Sequence, residues 1–494
     1  MAFGCTSSIG RLTAAILTLS LLGSGCSMFA GAEDGAAEAV IDAPPDSLPF
    51  ADPTVGAPLR LALSRTDVWD PAAIALGDQV QVILADLLFD GLTEASPEGE
   101  LRPALATSWT ATDGFKRWTF ELEAGVSPQT VVASFARLRE VAPASAAVAL
   151  LGDVEAIDPA GESAVVFALR NPNAGFAWLL SGVQYSVYGD EPTGPYDIES
   201  QDVAGMTLMS EEFRSVEIVW AADPAAAYEQ LTLSAVDAAV VAAAVTRDAA
   251  SRFGQQPTAR SIVRFYGLNL ASPNLYDPRV RQAVLSAVDR PAAMNALTPS
   301  GFTADGVASA ATAGFRYGAC NGACVYNPAG ARELLAQVGV TPTLVVGYAG
   351  ADQAPAAAEI GGSLERAGFG VVVQEVPADQ LAAMIDSGAV DVFSFGWPAP
   401  AGSMDAVIPP LLASYSGLNV TRLVSPEVDA LIAEALLTED DLARWDLLAA
   451  AESAALAQWT VIPIAVAHNG LVQRPGSFDI AVRGDGSIDV SSLE

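Results

Sequence analysis

Histidine is almost absent from this chain of 494 residues, with His468 the single example, and lysine is as scarce, with Lys116 alone. These shortages remove whole classes of chemistry. A zincin helix places two histidines on one face, so that site cannot form. A phosphate-binding loop needs Gly-Lys-Ser/Thr, but Lys116 is followed by Arg117. No Gly-x-Ser-x-Gly elbow occurs, and Gly368-Phe369-Gly370 lacks the third glycine of a dinucleotide-binding turn. No cofactor and no metal are therefore expected. His468 follows a strand pattern and reads as a surface or packing residue rather than a base.

Positive charge as a whole is short. The chain has 24 Lys+Arg against 58 Asp+Glu, a net charge of −34. Nucleic-acid binding needs a cationic stripe, and this sequence has none to offer. The acids read first as a solvated surface and second as an attraction for a cationic ligand. Beyond the first thirty residues no apolar run is long and charge-free enough to suggest a membrane-spanning helix. The 51% of hydrophobic residues instead lie in periodic segments, enough for a large core in two or three domain lengths.

The N-terminus has its own composition. Arg11 precedes the apolar Leu12–Leu22, and Gly23-Ser24-Gly25 leads into Cys26. This resembles a lipoprotein signal over residues 1–25, with Cys26 as the lipidated first residue of the mature chain. Two acyl chains suffice for stable attachment where one is marginal. Residues 26–50 are poor in large apolar side chains and read as a disordered tether. Of the other cysteines, Cys320 and Cys324 flank Asn-Gly-Ala. In an exported protein such a pair reads as a small-loop disulfide, with a metal pair as the lesser alternative.

From Leu59 onward strands and helices alternate. Leu59–Leu63 and Val216–Val219 read as strands, and Gln79–Leu92 as a helix through Val80, Ile83, Leu84, Leu87 and Leu88 that ends at Gly91. Asp113-Gly114 marks a hairpin within Trp109–Glu123, and a second hairpin lies in Val154–Arg170. Tyr266–Leu270 reads as a strand. Asp277-Pro278 then caps a helix with Val280, Ala283, Val284 and Ala287 on one face, and Asp289 restarts another. Asn327-Pro328 opens a helix stopped by Gly339, and Pro355–Ala367 is a helix ended by Gly368. Asp391–Trp397 and Thr460–Val466 are strands, with helices at Pro426–Leu437 and Leu442–Trp459. This alternation predicts an α/β arrangement with parallel neighbours.

Several of these stretches resemble family 5 extracellular solute-binding proteins, the ligand receptors of peptide-type ABC importers. They are Phe89-Asp90-Gly91-Leu92, Leu101–Trp109, Thr193–Tyr196, Tyr266–Met294, Tyr326-Asn327-Pro328, Ser425–Asp429 and Val461-Ile462-Pro463. The resemblance runs in order from Leu59 to the C-terminus. It implies a two-lobed α/β fold of the periplasmic-binding-protein type, large and with three subdomains, with a cleft between the lobes. It places the first lobe at 51–270 with an insertion at about 80–170, the second at 271–466, and a return to the first at 467–494. It implies a non-enzymatic monomer that closes on a solute, by default a peptide, and docks on membrane permease subunits from an extracytoplasmic position. A receptor-like fold used for sensing, envelope assembly or chaperoning is the alternative. A hydrolase built on a carboxylate pair is third.

In peptide-binding relatives the loop after the late strand reads Gly-Trp-x-x-Asp, and its aspartate pairs with the peptide ammonium. Here Gly396-Trp397-Pro398-Ala399-Pro400 stands, with Pro400 at the aspartate's place and Asp405 as the nearest acid. The expected ligand contacts are Trp397, Asp405, Phe89, Asp90 and Tyr196.

Overall fold

The computed structural model describes residues 57–65, 70–75, 77–189, 192–299, 301–398, 401–476 and 478–493. The signal at 1–25, Cys26, the tether at 26–50 and Pro400 lie outside the described residues.

Two six-stranded sheets organise the described chain. The first runs in the order Leu471–Gln473, Ala238–Val240, Leu59–Ser64, Val216–Ala221, Gly205–Met209, Asp197–Gln201. Leu59–Ser64 is parallel to both of its neighbours, and the outer pairings are antiparallel. Its side chains alternate across the sheet, as a strand's must. Leu59, Leu61 and Leu63 pack on Val80, Ile83, Leu84 and Leu87 of helix Gln79–Leu88. Ala62 faces the other way, onto Ala227 and Leu231 of helix Pro224–Thr232. The first of these helices starts where Asp78 accepts hydrogen bonds from the amides of Val80 and Gln81. It ends at Leu88, three residues before the Gly91 end read from the sequence, because Phe89 turns to extended backbone.

The second sheet runs in the order Phe302–Thr303, Val461–His468, Ala259–Leu268, Val392–Pro398, Thr343–Tyr348, Gly370–Glu375. Parallel neighbours are found only along Thr343–Tyr348; the central Ala259–Leu268 is antiparallel to both strands beside it. The parallel arrangement expected from alternation thus gives way to mixed sheets. One face buries Tyr266, Leu268, Leu344, Val346 and Ile462 under helices Pro278–Ala287, Arg290–Leu297 and Ala354–Ala367. The other buries Val263, Phe265 and Trp397 under Pro426–Ala435 and Asp441–Leu456.

A four-stranded antiparallel sheet of Ala106–Thr112, Arg117–Leu122, Ala164–Leu169 and Val154–Ala160 carries an aromatic core of its own. Phe120 and Phe135 both meet Phe167 edge to face, at 5.6 and 5.2 Å between ring centres.

The two large sheets are joined by segments that run side by side. Ala259 is paired with His468, and the Asn469 amide donates to the Thr258 carbonyl at 2.9 Å. Leu471–Gln473 then enters the first sheet. Buried Gln79 ties this junction together. Its amide nitrogen donates to Asn469 Oδ1 at 2.6 Å and to the Gly486 carbonyl at 3.0 Å, and its oxygen accepts from the Gly470 amide at 2.8 Å.

Candidate ligand cleft

Beside this junction opens a cleft of about 600 Å³. One wall comes from the end of helix Gln79–Leu88 and the strand after it. Asp86, Asp90 and Glu94 recur there at intervals of four. The late tail contributes Arg483, Gly484, Asp485 and Ser487. The opposite wall is Ala310–Phe315 with Ala401 and Gly402. A smaller recess, which shares Asp86, Glu94, Ser181, Val183 and Arg483 with the cleft, adds Phe89 and Asp90.

The Ala310–Phe315 wall is held from behind. Buried Glu452 accepts from the amides of Val307 at 2.7 Å and Ala308 at 3.2 Å. Burial pushes its carboxyl up to about 7, against the pull of those two amides. Arg290 donates to the Ala304 carbonyl at 2.9 Å, and the Ala313 amide donates to Gly402 at 2.6 Å. Gly484 lies so close to this wall that a Cβ there would stand 2.2 Å from the Ala311 carbonyl oxygen.

Arg483 is the cation at the centre. Its Nη1 donates to both oxygens of Asp86 at 3.0 Å and to the Ile488 carbonyl at 2.9 Å. Its Nη2 is hydrogen-bonded to Glu94 and lies 3.6 Å from Asp489. Burial opposes its charge, but the carboxylates of Asp86, Glu94, Asp485 and Asp489 outweigh that and hold it more firmly protonated than usual. Burial raises Asp86, with Arg483 opposing. Burial and then Glu94 push Asp90 up to about 7.

Of the residues expected at the ligand, Phe89 and Asp90 line the recess. The other three lie in the core and line neither cavity. Trp397 is 2% exposed, and its indole donates to the Ala406 carbonyl at 2.9 Å. Tyr196 is 1% exposed, and its hydroxyl donates to the Arg214 carbonyl at 2.8 Å. Asp405 accepts from Arg444 Nε at 2.8 Å and from the Trp445 indole at 2.8 Å, with both charged side chains buried. A helix thirty-nine positions later has taken up the acid nearest to the Gly-Trp loop.

Asp86, Glu94, Asp485 and Arg483 were not singled out from the sequence. The four-residue spacing of Asp86, Asp90 and Glu94 was the available signal for the acids. No local pattern marks Arg483. His468 is 3% exposed and packs edge to face on Phe302, with ring centres 4.6 Å apart. The sulfurs of Cys320 and Cys324 face each other, with Cα atoms 5.4 Å apart. No described helix is long and apolar enough to cross a membrane.

The sequence profile for bacterial extracellular solute-binding proteins, family 5, middle region, matches residues 100–419. The probable di/tripeptide-binding protein 5 of Pseudomonas aeruginosa (strain UCBPP-PA14) is 23% identical over 420 residues, 71% of this chain and 79% of that protein. The glutathione-binding protein GsiB of Escherichia coli (strain K12) is 25% identical over 454 residues, 79% of this chain and 85% of that protein. The solved structure of HbpA2 from Haemophilus parasuis superposes with a TM-score of 0.74 at 17% identity, covering 87% of this chain and 98% of that one. The fold is the two-lobed one of the periplasmic binding proteins.

Proposed function

The chain belongs to the family 5 extracellular solute-binding proteins, and from that premise we propose that it is the capture component of an ABC importer. It takes a solute between two lobes centred on the two large sheets, closes on it by a hinge motion and passes it unchanged to membrane permease subunits. The observation that carries this reading is the 600 Å³ cleft beside the junction between those sheets. Its lining mixes apolar residues with a few polar groups, among them Asp86 on helix Gln79–Leu88 and Glu94 on the strand after it, as a binding cleft does. The pairing of Ala259–Leu268 within the second sheet supports drawing the first lobe boundary ahead of that strand rather than at 270.

The solute is a peptide or a peptide-like molecule, in keeping with the relatives named for di/tripeptides and glutathione. Phe89 and Asp90 touch it. Trp397, Tyr196 and Asp405 support the walls from within. The protein is not an enzyme and acts as a monomer. It is held outside the cytoplasm by lipid on Cys26 and stands off the membrane on residues 26–50. A Cys320–Cys324 bridge closes the small loop before helix Pro328–Val338.

Native mass spectrometry of protein purified without refolding tests the reading. A retained small molecule is expected, released intact on denaturation, and its return should shrink the radius of gyration in solution scattering. Absence of any retained molecule, together with no compaction by di- and tripeptides or glutathione, would sink it. Chemical turnover of the ligand would do the same.

A further inference from the structure

The cleft is lined mostly by small side chains, with Ala310, Ala311, Ala313 and Ala401 along one wall. Two aromatic residues stand out against them. Phe315 and Tyr317 line the same wall, with ring centres 4.8 Å apart and planes at 82°. Phe315 is half-buried against the core, whereas Tyr317 is 83% exposed. No described large apolar side chain is more exposed. An isolated aromatic on a convex surface is ordinary, but this one stands in a concave site on a braced loop.

The backbone on both sides of Tyr317 is tied down. The Phe315 amide donates to the Thr312 carbonyl at 3.0 Å, and Ser309 Oγ donates to the Arg260 carbonyl of the central strand at 2.8 Å. Gly314 has φ of 84°, and a Cβ there would stand 2.3 Å from the Trp445 ring. Arg316 donates back to the carbonyls of Gly314 and Phe315 at 3.1 and 3.2 Å, and pairs with Asp446 at 2.8 Å. The Gly318 amide donates to Asp305. A loop fixed at every step holds a large ring out in water, and that ring is ready to be covered without further ordering of the chain.

Two rings at right angles make a corner. A third ring laid in it meets one of them face on and the other edge on, both favoured arrangements for aromatic pairs. The protein does not supply that third ring: no other described lining residue of the cleft is aromatic, and the Ser96–Gly99 turn brings only exposed Pro97 to the same cavity. Resting on the solute-capture reading, we infer that the Phe315–Tyr317 corner is the selectivity site of the cleft and that the captured solute carries an aromatic ring. The ring lies on Tyr317 and Phe315, and the alanine wall leaves room for the chain that bears it. Tyr317 contributes to binding and not to the fold, because its side chain is already in water.

Calorimetry with the full chain and three peptides that differ in one side chain tests this: Ala-Phe-Ala, Ala-Leu-Ala and Ala-Ala-Ala. Ala-Phe-Ala is expected to bind at least about tenfold more tightly than Ala-Ala-Ala, with Ala-Leu-Ala between them. Tyr317→Ala should bring Ala-Phe-Ala to within about threefold of Ala-Ala-Ala, with the affinity for Ala-Ala-Ala and the melting temperature unchanged. Tyr317→Phe should keep the preference, since it keeps the ring. A preference that survives in Tyr317→Ala overturns the inference, as does equal binding of the three peptides or failure of Ala-Phe-Ala to bind. A solute retained on purification that carries no ring overturns it as well, and leaves solute capture standing.

Discussion

Removing the Asp405 carboxylate separates two roles that the sequence alone does not distinguish. If Asp405 touched the solute, Asp405→Ala would weaken binding and leave the fold intact. The structure puts it under Arg444 instead, with side chains 1% and 2% exposed. Arg444 would keep Asp441, which is 44% exposed, and the carbonyls of Thr438 and Glu439 at 3.3 and 3.1 Å. The Trp445 indole would lose its acceptor. Breaking a buried ion pair from one side costs about 3–5 kcal/mol, because the remaining charge stays buried. For a chain of this size that corresponds to a fall of roughly 3–5 °C in the melting temperature. Tryptophan fluorescence during a thermal ramp reads it directly. The double variant Asp405→Leu/Arg444→Met removes both charges and should recover most of the loss. Affinity of the folded single variant for its retained solute should be unchanged. A melting temperature within about 1 °C of the parent, combined with lost affinity, would refute the assignment of Asp405 to the core.

Gly470→Ala should cost about 1–3 kcal/mol in urea unfolding, since its Cβ would stand 2.9 Å from the Val241 carbonyl oxygen and 3.0 Å from Gln79 Oε1. Glu452 titrates at about 7 in the folded chain, above its ordinary 4.5, so the folded state holds its proton longer and this residue's contribution falls as pH rises from 4.5 to 7. That amounts to about 3 kcal/mol, and Glu452→Gln should show a correspondingly smaller drop in urea midpoint between about pH 5 and pH 8; an identical drop would disprove it. With the proposed Cys320–Cys324 bridge formed, replacing both cysteines by serine opens a loop with a sequence separation of only 4, so the loss should be about 2 kcal/mol or less by equilibrium unfolding.

What could be read in advance was local. Asp277, Asp289, Asn327 and Ser425 each cap the helix assigned to them, because a side-chain acceptor before a proline or first-turn residue acts within three positions. Gly339 and Gly368 end their helices with φ of 76° and 104°, a backbone that glycine accepts without strain. The central strand Ala259–Leu268 was recognised only from Tyr266. Its first half holds Arg260, Ser261 and Arg264, which break any alternation, yet Arg260 and Ser261 are buried by the tail. The Ser261 amide donates to Gly484 at 2.6 Å, and Arg260 Nη2 donates to the Asp485 carbonyl at 2.5 Å. The cleft fell outside local reach for the same reason. Arg483 meets Asp86 across 397 positions and Glu94 across 389.

Gln79 reaches partners 390 and 407 positions further along. The early half therefore cannot be completed until the chain's last residues exist. Leu471–Gln473 supplies an edge strand, and Ile480, Ile488 and Leu493 fill the core under helix Gln79–Leu88. Closing so large a loop delays folding well beyond the time local helices need. A growing chain of this design stays incomplete throughout synthesis, the condition in which a polypeptide can still be threaded through a translocation pore.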